Sequence, residues 1–281
     1  MVGDILAADA ATGAVHPEAP LSNSPKRIRD SMAATEIPDL IAHRGWASRF
    51  PENSLESLAA ALDAGARFVE FDVQMSADDV PVLMHDATLN RTADVVGCVH
   101  DMTWPALAPI SVGEPRRLGG SFPDARVPSL AEALGLLRRR PGRRAFVEIK
   151  TESLQRFGIS RVLEHCLSAI REAPGQCIVT SYSDQLLQEA RKVSGLPIAW
   201  VLASHDASSL ERAHRLAPEY LFCNVNKLPP GSLAKGSWDW AIYEITDPQL
   251  ALDLARRGVA YVETMAIGEM LSDPRLAGAR A

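Results

Sequence analysis

"RFVEFDVQMSADDVPVLMHD", residues 67–86, contains two apolar runs that stand too close together to be successive parallel strands. Parallel neighbours need a dozen or more connecting residues, and here only Gln74 to Asp79 lie between Val73 and Val80. The stretch therefore reads as a hairpin turning at Asp78-Asp79. A two-residue turn pairs 77 with 80 and sets Asp72 opposite His85. Glu70, two residues before Asp72, shares its face.

With 80–84 set aside as the return strand, the rest of the chain alternates. Strands are expected at 40–43, 67–73, 145–150, 177–182, 198–203, 220–224, 240–245 and 260–264. Amphipathic segments with i, i+3, i+4 spacing fill most of the gaps, at 156–172, 184–193, 206–216 and 247–257. Asn53 or Ser54 can cap a helix running to Leu62, Ser129 can cap LAEALGLLRRR, and Asp247-Pro248 puts proline at a first helical position. Eight strands alternating with helices is the count of an α/β (β/α)8 barrel, the TIM barrel. Residues 86–128, rich in Pro and Gly, form an insertion after the second-strand hairpin, with one helical piece near 103–108. Residues 1–37 carry no apolar period and are expected to be a flexible tail, leaving 38–281 as the barrel domain.

The composition, 47% hydrophobic and 23% charged, is that of an ordinary globular protein. A net charge of -6 offers no general attraction for nucleic acid or anionic lipid, so a phosphate-bearing ligand must be held by local cations or a metal. Cys98, Cys166, Cys177 and Cys223 show no paired or zinc-ligand spacing and read as reduced thiols. With no apolar run of membrane-spanning length and no convincing secretory signal, a cytoplasmic location is expected.

Three acids break apolar strands. Glu70 and Asp72 share one face of FVEFDV, and Glu148 interrupts Phe146-Val147-Glu148-Ile149-Lys150 near a strand's carboxyl end, where barrel enzymes build their sites. In an isolated strand such acids are most simply a solvated face. A barrel strand is covered on both sides, so inward carboxylates need a cation. Three carboxylates suit one hard divalent ion, Mg²⁺ or Ca²⁺, rather than zinc. His43 and His85 each end an apolar run beside these acids, and two imidazoles there can act as general acid and base. Arg44 and Lys150 supply positive charge for phosphate oxygens. The other five histidines lie in the tail, the insertion or helices and are read as structural.

"HRGWASRFPENS", "EFDVQMSADDVPVLMHDATLNRT", "VPSLAEAL" and "VEIK" resemble, in order and spacing, the glycerophosphodiester phosphodiesterase family, from about residue 39 to the end. The resemblance implies a TIM barrel with a small insertion, Glu70, Asp72 and Glu148 as metal ligands, and His43 and His85 as the acid/base pair. It also implies Arg44 and Lys150 as phosphate contacts and Glu52 as a supporting acid. The small-molecule substrate is then a glycerophosphodiester. Two stretches depart from the family pattern. Tyr243-Glu244-Ile245-Thr246 replaces a Trp-Thr-Val-Asn type strand, with Tyr243 keeping an aromatic wall for an alcohol group. Glu263-Thr264-Met265-Ala266 replaces Thr-Asp-x-Pro. Neither touches the metal or acid/base residues, so both bear on substrate identity. A lysophospholipase D reading needs an apolar groove, for which Trp104, Leu107 and Ile110 are candidates. A silent phosphate-binding barrel is opposed by the intact acids and histidines. An amidohydrolase-type metal barrel is opposed by His43-Arg44-Gly45 where His-x-His belongs.

Overall fold

In the computed structural model, which describes residues 37–280, the alternating runs pair into one closed sheet. The strands are β1 (Asp39–His43), β2 (Phe68–Met75), β3 (Pro81–Leu83), β4 (Arg144–Ile149), β5 (Cys177–Ser181), β6 (Ile198–Val201), β7 (Tyr220–Asn224), β8 (Asp239–Tyr243) and β9 (Val259–Thr264). All but β3 are parallel, and pairing of β1 with both β2 and β9 closes a (β/α)8 barrel. The tail expected at 1–37 lies outside the described residues, save Ile37, which packs against the core.

The helices begin where capping chemistry places them. Ser54 caps α1 (Leu55–Asp63) by accepting from the Ser57 N–H. In the insertion lie α2 (Trp104–Leu107) and α3 (Pro115–Leu118). Ser129 and Glu132 form a reciprocal capping box on α4 (Leu130–Arg138). The helix expected over 156–172 forms as α6 (Ile159–Ile170), preceded by a short helix not expected from the sequence, α5 (Thr151–Phe157), with Gly158 at φ 85° between them. The remaining helices, α7 (Asp184–Ser194), α8 (Ala207–Leu216), α9 (Pro248–Arg256) and α10 (Ile267–Ser272), follow β5, β6, β8 and β9. Their apolar faces and the outward strand residues form the main core; Trp200, Trp238, Leu186 and Leu254 are among its members.

The hairpin register corrects the expectation by one residue. Met84 N–H donates to Asp72 O at 3.0 Å, so Asp72 stands opposite Met84, not His85. The cause is a three-residue loop: Ser76 N–H donates to Val80 O, Asp79 N–H to Ser76 O, and Asp79 takes φ 68°. Its tip is pinned, with Asp78 Oδ1 accepting from Trp104 N–H and Arg161 bridging Asp79 with two hydrogen bonds. The insertion has its own small core around Leu89, Val99, Leu107, Val112 and Val127, and Trp104 and Ile110 pack into it. The three residues considered for a lipid groove are therefore spent on holding the insertion together.

Gly45 allows the turn that follows β1. Its φ is 83°, and a Cβ there would meet Ser57 Oγ at 2.5 Å and the Ser57 carbonyl carbon at 2.6 Å. Gly45→Ala is expected to cost about 2–4 kcal/mol in chemical denaturation, combining a disfavoured φ with a backbone clash. An unchanged denaturation midpoint would show that the turn gives way freely.

Candidate active site

Along each barrel strand alternate side chains point inward, and the inward positions sort into two levels. The lower level is apolar: Ile41, Phe68, Phe146 and Tyr261 belong to one buried cluster inside the barrel. Two residues further along the same four strands stand His43, Glu70, Glu148 and Glu263, and Asp72 follows Glu70. The pairing fixes neighbours, with His43 beside Glu70, Asp72 beside Glu148, and Glu263 beside Ile41. The site thus sits at the carboxyl ends of the strands, above a dry floor.

Glu70, Asp72 and Glu148 each offer an oxygen within 4.8 Å of the others. Glu70 and Asp72 are 2% and 1% exposed, and Glu70 Oε1 has no hydrogen-bond partner. A buried, orphaned carboxylate oxygen facing two further acids fits a hard divalent cation, which takes oxygen ligands at about 2.0–2.6 Å. Lys150 Nζ bridges Glu148 Oε1 at 2.9 Å and Asp72 Oδ1 at 3.2 Å. Arg44 reaches Glu52 Oε1 at 3.1 Å through Nη1, its Nε lies 3.0 Å from Asp72 Oδ2, and its backbone N–H donates to Glu70 Oε2 at 3.1 Å. The Arg44 Nε pairing is ionic and not aligned as a hydrogen bond. Asn53, held at φ 56°, clasps Asp72 from both ends: Nδ2 donates to Oδ2 and Oδ1 accepts the Asp72 N–H.

The electrostatics follow from these contacts. Burial opposes the Asp72 charge, but Arg44 and Lys150 outweigh it and hold that carboxyl well below the usual range. Burial raises Glu70 well above that range, reinforced by Asp72 and Glu263. Burial likewise raises Glu148 although Lys150 opposes it. His43 is pushed down to about 3, first by burial and then by Arg44, so it is neutral at neutral pH. His85 is more open, and its Nδ1 lies 2.6 Å from Asp86 Oδ1, which fixes the ring and leaves Nε2 to exchange a proton.

A carboxyl whose pKa is raised holds its proton more tightly, and a bound cation competes with that proton. Lowering the pH fills Glu70, Glu148 and Glu263, so affinity for Mg²⁺ or Ca²⁺ is expected to fall as pH falls and to rise with pH, with protons released on binding. Calorimetry in buffers of different ionisation heat measures that release. Binding heats independent of buffer would contradict it.

The structure brings His43, Arg44, Glu52, Glu70, Asp72, His85, Glu148 and Lys150 together, and Tyr243 packs against the apolar cluster inside the barrel with its hydroxyl 3.1 Å from that of Tyr182. Arg91 grips both Glu52 oxygens at 2.7 Å while Arg44 takes one, and these cations outweigh burial so that the Glu52 carboxyl stays ionised at lower pH than usual. Arg91 also binds Asp86, so one arginine ties the β1 loop to the His85 segment. Glu114, on the insertion, accepts the Glu52 N–H at 2.6 Å, and Arg117 binds Glu114, Ala47 O and Phe50 O. Asp86 and Arg91 stand within the motif that carries the family resemblance, whereas Glu114 and Arg117 lie outside the motifs and meet the β1 loop only through the fold of the insertion.

Glu263 corrects the expectation that the last-strand departure leaves the acid/base residues untouched. It is 3% exposed, and its Oε2 lies 3.9 Å from His43 Nε2, as does Glu70 Oε2. Its signal was present in the chain: Tyr261 and Glu263 share a strand face, as Phe146 and Glu148 do. Glu244, by contrast, is exposed and stands at φ 70°.

The family model of the glycerophosphoryl diester phosphodiesterases matches residues 43–261. Glycerophosphodiester phosphodiesterase 1 of Rattus norvegicus is 43% identical over 94 residues, covering 34% of this chain and 28% of that protein. The chain therefore aligns with under a third of these mammalian relatives. Glycerophosphodiester phosphodiesterase of Bacillus subtilis is 28% identical over 186 residues, covering 62% of each. Among solved structures, an Oleispira antarctica phosphodiesterase in complex with the product sn-glycerol-3-phosphate superposes with a TM-score of 0.74 at 23% identity, over 84% of this chain and 96% of that one.

Proposed function

The chain belongs to the glycerophosphoryl diester phosphodiesterase family, and from that premise we propose that it hydrolyses glycerophosphodiesters to sn-glycerol 3-phosphate and a free alcohol with the help of one divalent cation. The observation that supports this most directly is the convergence of Glu70, Asp72 and Glu148 beside His43, Arg44 and Lys150 at one end of the barrel. The named product of the Oleispira relative agrees with it.

Glu70, Asp72 and Glu148 would hold the cation, Mg²⁺ or Ca²⁺, which when bound supplies Lewis-acid neutralisation of a phosphate oxygen. Arg44 and Lys150 add fixed positive charge around the phosphate without reorganising, because Glu52, Asp72 and Glu148 already hold them. His43 Nε2, neutral and buried, takes a proton from the attacking water as the water oxygen bonds to phosphorus. As the bond from phosphorus to the leaving oxygen breaks, His85, steadied by Asp86, delivers a proton to that oxygen and the alcohol departs.

The test is a metal-depleted preparation given glycerophosphocholine, glycerophosphoethanolamine, glycerophosphoglycerol and a lysophospholipid, with each divalent ion in turn. Release of sn-glycerol 3-phosphate from the first three is expected. Cleavage of the lysophospholipid alone would move the reading to lysophospholipase D, and no cleavage of any would leave a binding barrel. Among the described residues no helix is long and apolar enough to cross a membrane.

A further inference from the structure

Glu263 has no part in the ligand triad or the proton path, yet it is buried among both. Its Oε1 is buried without a hydrogen-bond partner, and its Oε2 faces His43 Nε2 across 3.9 Å. A carboxylate does not stay unpartnered in a protein interior without a cost of several kcal/mol, so the position is one that a ligand completes. A gap of 3.9 Å is too long for a direct hydrogen bond, so His43 does not satisfy the carboxylate, and its unpartnered Oε1 is open to a hydroxyl donor.

We propose that Glu263 is a substrate-binding residue that accepts a hydrogen bond from a hydroxyl of the glycerol moiety, selecting diesters that carry a vicinal diol next to the phosphate. This rests on the phosphodiesterase reading and names what that site recognises. Two observations favour a neutral donor over a second cation, even though His43, Glu70 and Glu263 approach one another within 4.8 Å. First, the carboxylates Glu70, Asp72, Glu148 and Glu263 are already balanced by Arg44, Lys150 and one divalent ion, so another divalent ion would leave the pocket strongly positive. Second, a cation there would occupy His43 Nε2, the nitrogen that handles the proton, and would sit against a Glu70 oxygen already engaged by the Arg44 N–H. An oxygen-bound O–H needs neither charge nor displacement. The floor beneath is closed by Tyr261 and Ile41, so the hydroxyl must enter from the mouth, along with the phosphate.

The geometry also explains why the last strand ends differently from the family pattern. Glu263 points inward directly above Tyr261, on the strand that borders β1 and His43. A carboxylate from this strand reaches the glycerol side of the phosphate without competing for the ligands on β2 and β4.

The experiment uses Glu263→Gln, which keeps the shape, and Glu263→Ala, which removes the acceptor. The first arm is binding, by calorimetry with Mg²⁺ or Ca²⁺ present, of sn-glycerol 3-phosphate and of methyl phosphate, which has the phosphate but no hydroxyl. The wild-type protein is expected to prefer sn-glycerol 3-phosphate by about tenfold or more, and Glu263→Ala to lose most of that preference, because a hydrogen bond to a charged group is worth about 1.5–3 kcal/mol. The second arm is turnover. On glycerophosphocholine kcat/KM should fall about 10–100-fold in Glu263→Ala and less in Glu263→Gln. On bis(4-nitrophenyl) phosphate, which has no hydroxyl, it should stay within about threefold. The binding arm decides the proposal even if the chain turns over neither diester, an outcome that would count only against the phosphodiesterase reading. Equal losses on both diesters would mean that Glu263 places the attacking water, and a lost equivalent of bound metal would make it a ligand. Unchanged preference in both arms would make it structural. Each of these three results overturns the proposal.

Discussion

Chelation is expected to lower turnover of a glycerophosphodiester roughly a thousandfold or more, and added Mg²⁺ or Ca²⁺ to restore it, since a bound divalent ion is worth several kcal/mol to a phosphoryl transition state. The size of the effect follows from the charges the barrel collects. Four carboxylates, Glu70, Asp72, Glu148 and Glu263, face the site, and only Arg44 and Lys150 oppose them at contact distance. Without a cation the pocket is either net negative or filled with protons on its raised carboxyls, and in neither state does it attract a phosphodiester anion. Replacing Glu70, Asp72 or Glu148 singly with alanine should raise the dissociation constant for the ion at least tenfold. Asp72 should be the most disruptive of the three, because its loss also strands Arg44, Lys150 and the Asn53 amide. Full turnover in excess chelator would remove the cation from the mechanism.

The barrel was legible because its evidence is periodic. Apolar runs of strand length alternating with capped amphipathic helices leave few other folds, and Ser54, Ser129 and Asp247 stand where the helices begin. The acids were legible for a related reason, since an ionisable residue in a strand covered on both faces has nowhere to go but inward. What escaped was geometry that depends on one residue more or less. The hairpin loop has three residues because Asp79 adopts a left-handed conformation, and that shifts the pairing by one. The short helix α5, directly after β4, carries too few turns to show an apolar period, and Gly158 at φ 85° separates it from the expected α6. The ties from the insertion, Arg91 to Glu52, the Glu52 N–H to Glu114 and Arg117 to Ala47 O, join residues tens of positions apart with no period to betray them. Glu263 is readable by the same alternation that exposes Glu148, because Tyr261 and Glu263 share a strand face as Phe146 and Glu148 do.

Substituting His43 or His85 with alanine is expected to lower kcat by roughly 10²–10⁴-fold, the usual worth of a positioned acid or base. The two losses should differ in kind. His43 lies 3.9 Å from both Glu70 and Glu263, is neutral and is buried, and in the proposed mechanism it serves the nucleophile, so its removal should be felt with every diester. In the proposed mechanism His85, held by Asp86, protonates the departing alkoxide, so its removal should matter for choline or ethanolamine, which leave poorly without a proton. A 4-nitrophenyl diester leaves as a stable phenolate, and there the His85→Ala loss should shrink to about tenfold or less. Metal affinity should change little in either variant, since neither imidazole belongs to the Glu70, Asp72 and Glu148 set. The acid side of the wild-type pH profile should shift to lower pH as cation concentration rises, because protons on Glu70, Glu148 and Glu263 compete with the ion while His43 stays neutral until about pH 3. A His43 variant that loses metal would make that ring a ligand. A His85 variant equally crippled on both leaving groups would give it the base's task, and the direction of attack across the phosphate would have to be reversed.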